Sequence, residues 1–131
     1  MAISKERKNQ LMVWANEVIG SSSICQNGVI ISDSYNGQIA AFSVSVALSG
    51  LKPAMALYYS GKSSSDVDKK KIIELLAAMY SKENGRTDAD AFFKLVIAAN
   101  GDALDGLHKK IIEYGIALKL VIRTFNFNGH E

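Results

Sequence analysis

One cysteine and one proline stand in the whole of this 131-residue chain. Cys25 alone cannot close an internal disulfide, which excludes a disulfide-stapled secreted scaffold. The near-absence of proline argues against an all-β or loop-rich architecture. Histidine is scarce too, with only His108 and the near-terminal His130. No cysteine pair and no His-x-x-x-His spacing occurs, so no metal-ligand pattern is present. Neither sign of charge dominates: 15 Lys and Arg face 13 Asp and Glu, for a net +2 and a pI near 8.6. Such mild basicity permits contact with nucleic acid without demanding it. Long hydrophobic runs are missing as well. The most apolar stretch, Ile39 to Leu57, is broken by Ser43, Ser45, Ser49, Gly50, Lys52 and Pro53, whereas a membrane span needs about 20 mostly apolar residues. Met1 to Gln10 is mostly polar and shows no cleavage-like site of a targeting segment. A soluble, cytoplasmic protein without a membrane partner is the expectation.

What the chain does hold is 48% hydrophobic residues against 21% charged ones. That is ample for one core at a common domain length of roughly 100–150 residues. A single helical domain over residues 1–125 is expected, with 126–131 as a flexible C-terminal tail. Asn-Gly pairs recur at 27–28, 36–37, 84–85, 100–101 and 128–129. Asn-Gly between alternating strands signals a hairpin, but the flanks of Gly85 and Gly101 carry helical spacing. These pairs are therefore read as helix ends closed by a left-handed residue.

Six segments show helical periodicity. Leu11, Trp14, Ala15 and Val18 form one face of a first helix. Tyr35, Ile39, Phe42 and Val46 do the same for a second. Ala40, Ala41, Val44, Ala47 and Leu48 fill the other sides of that second helix, which predicts it as the buried centre. Pro53 fits the start of a short third helix. Ser65 with Asp68 opens a fourth, through Ile72, Leu76 and Met79. Thr87 with Asp90 opens a fifth, with Phe92, Leu95, Val96 and Ala99 on its apolar face. Asp102 with Asp105 opens the last and longest. Leu104, Leu107, Ile111, Tyr114, Leu118, Val121 and Phe125 follow one another at alternating steps of three and four, a continuous seam. Leu118 to Phe127 also alternates well enough for a strand. The fold class is all-α: a compact bundle of about six helices with a long C-terminal helix.

Ile116 and Leu120 project from the side of the last helix opposite its seam, beside Lys109, Glu113 and Arg123. They are either further core or a surface for a partner. No catalytic set emerges. Cys25 has no base nearby in sequence, and Gly61-Lys62-Ser63 lacks the earlier glycine and the preceding strand of a phosphate-binding loop. Asp66 with Asp68, Asp88 with Asp90, and Asp102 with Asp105 fit helix starts, where the dipole favours them. The chain is read as no enzyme, without metal or other cofactor. Lys69, Lys70 and Lys71 are the densest positive run, yet three consecutive positions fan over about 200° of a helix. Lys5, Arg7 and Lys8 form a second cluster. Residues 1–62 hold five basic side chains against three acidic ones, and the remainder balances ten against ten. Each copy could neutralise only a few phosphates.

Tyr35-Asn36-Gly37-Gln38-Ile39-Ala40-Ala41-Phe42, Ser49-Gly50-Leu51-Lys52-Pro53-Ala54-Met55-Ala56-Leu57-Tyr58-Tyr59-Ser60 and Asp68-Lys69-Lys70-Lys71 resemble stretches of the small helical subunit of Cmr complexes, the type III-B CRISPR effectors that target RNA. With Tyr114-Gly115-Ile116-Ala117-Leu118, the resemblance spans roughly residues 5–125. It implies a non-catalytic bundle present in several copies, stacked beside the guide-bound backbone among other Cmr subunits, and holding the guide RNA–target RNA duplex in antiviral defence. On this reading Lys5, Lys8, Lys52, Lys62, Lys69 and Lys70 contact nucleic-acid backbone without reading bases. Ile116, Leu120 and Arg123 form a partner interface. The alternative is a helical protein–protein adaptor that never touches RNA.

Overall fold

The chain is described by a computed structural model over residues 4–60 and 68–127. Among the described residues the fold is all-α. Its six helices are α1 (Lys5–Ser21), α2 (Ser34–Ser49), α3 (Leu51–Ser60), α4 (Lys70–Asn84), α5 (Ala89–Ala98) and the long α6 (Gly101–Ile122). Three two-residue strands accompany them: β1 (Cys25–Gln26), β2 (Val29–Ile30) and β3 (Asn126–Phe127). None of the described helices is long and apolar enough to cross a membrane.

Local chemistry explains most boundaries. The Ser4 hydroxyl accepts the Arg7 amide at 3.1 Å and starts α1. Pro53 lies within the first turn of α3, where an amide hydrogen would have no helical partner. Asp68 accepts the Lys70 amide at 3.0 Å at the head of α4, while Ser65, the other expected capping residue, lies outside the described residues. At α5 the cap is Asp88, not Thr87: its carboxylate takes the Ala91 amide at 2.8 Å. Asp90 is instead drawn to Lys70 and Tyr59. Gly85 ends α4 as expected, whereas Gly101 opens α6 rather than closing α5.

Asn27 and Gly28 depart from the helix-end reading altogether. Both have positive φ (54° and 78°) and turn the β1–β2 hairpin, with Cys25 opposite Ile30 and Gln26 opposite Val29. Two central residues of positive φ suit the twist of a tight hairpin. Asn126 and Phe127, assigned to the tail by sequence, pair in parallel with Val29 and Ile30. Residues 128–131 lie outside the described part.

The centre of the bundle is α4, which packs against all five other helices and buries Ile72, Ile73, Leu75, Leu76, Ala77 and Met79. This corrects the placement of α2 there. Helix α2 buries Tyr35, Ile39, Phe42 and Val46 as expected, but Val44 is 56% and Leu48 82% exposed. Its small alanines made the helix read as apolar all round, and burial takes only one stripe of it. The α6 seam is buried from Leu107 through Val121; Leu104 and Phe125 are half-buried at its ends.

Candidate functional site

The expected nucleic-acid residues divide into two groups. Lys52, at the start of α3, donates from Nζ to the Ile97 carbonyl at 2.7 Å. It thereby places a positive charge on the last turn of α5, where the helix dipole favours it. Lys69 sits half-buried with its ammonium 5.5 Å from the centre of the Tyr58 ring. Lys70 lies 4.5 Å from the Tyr59 ring and 3.2 Å from Asp90 Oδ1. Tyr59 donates its hydroxyl to the same carboxylate and stacks on Phe93, centroids 4.1 Å apart. The bonds from Tyr59 and Lys70 hold the Asp90 carboxyl below its ordinary range, and the bond to Asp90 raises the Lys70 ammonium above its own. Lys71 reaches Glu74 at 3.7 Å. These side chains join α3, α4 and α5 to one another. Lys62 lies outside the described residues.

Lys5 and Lys8 are different. Both are exposed on α1 and form no ion pair with a described residue. Arg7, between them, turns inward to chelate Glu83 of α4 and Glu113 of α6, the latter at 2.8 Å. Tyr114 donates to Glu83 at 2.6 Å, and Lys110 approaches the same carboxylate at 3.9 Å. Burial pushes the Glu83 carboxyl up, but the Arg7 and Tyr114 hydrogen bonds prevail and hold it below the usual carboxylate range. Burial, followed by the bond to Glu83, raises the Tyr114 hydroxyl.

This network sits on the floor of a seam between α1 and α6. Ser4, Arg7, Gly106, Lys109, Lys110, Glu83 and Glu113 line a groove of about 430 Å³, edged by charged side chains, at one end. Lys8, Leu11, Met12, Glu113, Ile116, Ala117 and Leu120 line an apolar trough of about 520 Å³ at the other. Ser4 faces Gly106 and Met12 faces Leu120, so the first and last helices run in the same direction. Glu113 borders both halves. Ile116 and Leu120 are 54% and 48% exposed on the trough wall, and the exposed Arg123 follows one turn beyond at the end of α6.

No family model, curated protein or solved structure matches this chain.

The structure therefore brings Lys8 together with Ile116 and Leu120, and Lys69 with Lys70. It does not bring the α1 lysines onto the α3–α4 side. The sequence reading did not place Ser4, Gly106, Lys109 and Lys110 in one groove with Arg7. Arg7 and Glu113 are 106 residues apart in the chain, and no spacing rule joins them. Among the described residues, no three His, Cys, Asp or Glu side chains gather as a metal site.

Proposed function

We propose that this protein is a non-catalytic structural subunit of an RNA-targeting complex of the type III-B CRISPR (Cmr) kind, present in several copies and holding the guide–target duplex. The observation that carries this reading is the α1–α6 seam. Its outer edges offer ammonium groups not spent on the fold, and an apolar trough adjoins them. A subunit that touches phosphate and packs beside a neighbour needs both surfaces. The sequence resemblance to the small Cmr subunit supports the same assignment. The duplex is held through backbone phosphates, other Cmr subunits and further copies of the chain are the protein partners, and the complex works in the cytoplasm.

The test is affinity purification of the tagged full chain from its native cells. A defined set of further subunits and a short RNA should accompany it. Recovery of the chain without RNA would overturn the reading. The exposed Ile116 and Leu120 favour the adaptor as a second reading. Replacing both with Ser should release neighbouring subunits in either case. RNA lost only together with those subunits, and never through the lysines, would establish the adaptor.

A further inference from the structure

We propose that the apolar trough between α1 and α6 seats an acidic amphipathic helix of another protein. The inference gives a chemical class to the protein partner in the reading above, and it rests on that partner surface, not on RNA. Ile116, Leu120 and Arg123 follow at steps of four and three residues, so they share one side of α6. Lys8 on α1 completes the lining beside Met12. Lys8 and Arg123 are exposed and pair with no described carboxylate. Glu113, the one carboxylate among the lining residues, is 11% exposed and bound by Arg7. Glu6 lies two positions before Lys8, about 200° round α1, and faces away. Glu17, further along α1, is held by Lys82 at 3.2 Å. The free charge around this apolar seat is thus positive at both ends.

From Glu113 to Leu120 the seat runs about two helical turns, roughly 10 Å. Both walls are helices whose backbone amides are already bonded internally, so an extended peptide would find no ladder to join. A helix satisfies its own amides and brings only side chains. A small apolar molecule would stay half in water, because Ile116 and Leu120 form walls open on one side. Two or three apolar side chains at helical spacing would cover Met12, Ile116 and Leu120, and flanking Asp or Glu would meet Lys8 and Arg123. The described helices of this chain present no such stripe. On α2, Val44 and Leu48 are exposed, but no charged residue stands between Ser34 and Ser49. On α5, the exposed Leu95 and Ile97 lie two positions apart, about 200° round the helix. The fitting helix therefore belongs to a different protein.

A photo-reactive benzoylphenylalanine, placed in turn at Ile116 and at Leu120 of the tagged full chain in its native cells, reads the occupant directly. Irradiation should cross-link either position to another protein, within a segment carrying apolar residues at steps of three and four with Asp or Glu between them. The same group at the exposed Val44 should not reach that segment. A synthetic peptide of the cross-linked segment should bind the purified chain and gain helicity. Lys8→Glu with Arg123→Glu should slow its association severalfold and flatten its salt dependence, while circular dichroism shows the fold intact. Ile116→Ser with Leu120→Ser should abolish the binding. A cross-link to a second copy, to RNA, to lipid, to a segment without acidic flanks, or to nothing overturns the proposal, as does binding indifferent to the charge reversal. RNA in the same purified complex is scored separately. Its absence beside an acidic-helix cross-link overturns the RNA reading and leaves the trough's partner standing; its presence without that cross-link does the reverse.

Discussion

Glu83 collects more of the tertiary structure than any other polar side chain described above. Arg7 reaches it from α1, Tyr114 from α6 and Lys110 from one turn earlier on α6. Its carboxyl is held below the ordinary value of about 4.3, so it contributes stability that is present above that value and lost as pH falls through its folded pKa. Acid should therefore lower the thermal midpoint of the wild type more steeply than that of Glu83→Gln, beginning just below pH 4.3. Parallel melting curves for the two proteins in acid would refute this. Tyr114→Phe keeps the ring but removes a donor to a charged acceptor, and should cost about 1.5–3 kcal/mol by denaturant unfolding. The Tyr114 hydroxyl is raised by burial and by Glu83, so its contribution is present below about pH 10 and declines above it.

Of the described glycines, the one with least room for a side chain is Gly115, where α6 meets α2. A Cβ at Gly115 would lie 3.2 Å from the Ser43 hydroxyl oxygen. Gly115→Leu should overpack this crossing and destabilise the fold by about 1–3 kcal/mol. Gly115→Ala should be better tolerated in a Ser43→Ala background than alone, a coupling that a double-mutant cycle measures. Absence of coupling would mean that Ser43 turns aside freely. The helices themselves were legible: the alternating three-four seam of α6 and the four-residue face of α2 are both buried as their spacing requires. What escaped was rank among them. Burial of α4 on nearly all sides and exposure of Val44 and Leu48 on α2 depend on which neighbours arrive, not on the apolar content of either segment. The Asn27–Gly28 hairpin was misread because two-residue strands are too short to show alternation.

For the molecule as a whole, the small sheet ties the segment after α6 to the hairpin that follows α1. Strand β3 lies parallel to β2, and Phe125 and Phe127 pack against the core beside it. Removing residues 125–131 should cost about 2 kcal/mol, roughly one for each half-buried ring, and an unchanged melting curve would show that this closure adds nothing. The candidate site was legible only in part for a similar reason. Lys5, Arg7 and Lys8 could be picked out as a cluster, but Glu113, which Arg7 binds, and Ile116 and Leu120, which line the trough with Lys8, lie about a hundred residues further along the chain. The pairing of the first helix with the last also bears on synthesis. The side of α1 carrying Leu11, Ala15 and Val18 leaves the ribosome early, and its main cover, α6, follows some hundred residues later. Until then the nascent polypeptide carries a sticky, uncovered flank that a nascent-chain chaperone is suited to shield, and productive collapse must wait for α6 to emerge.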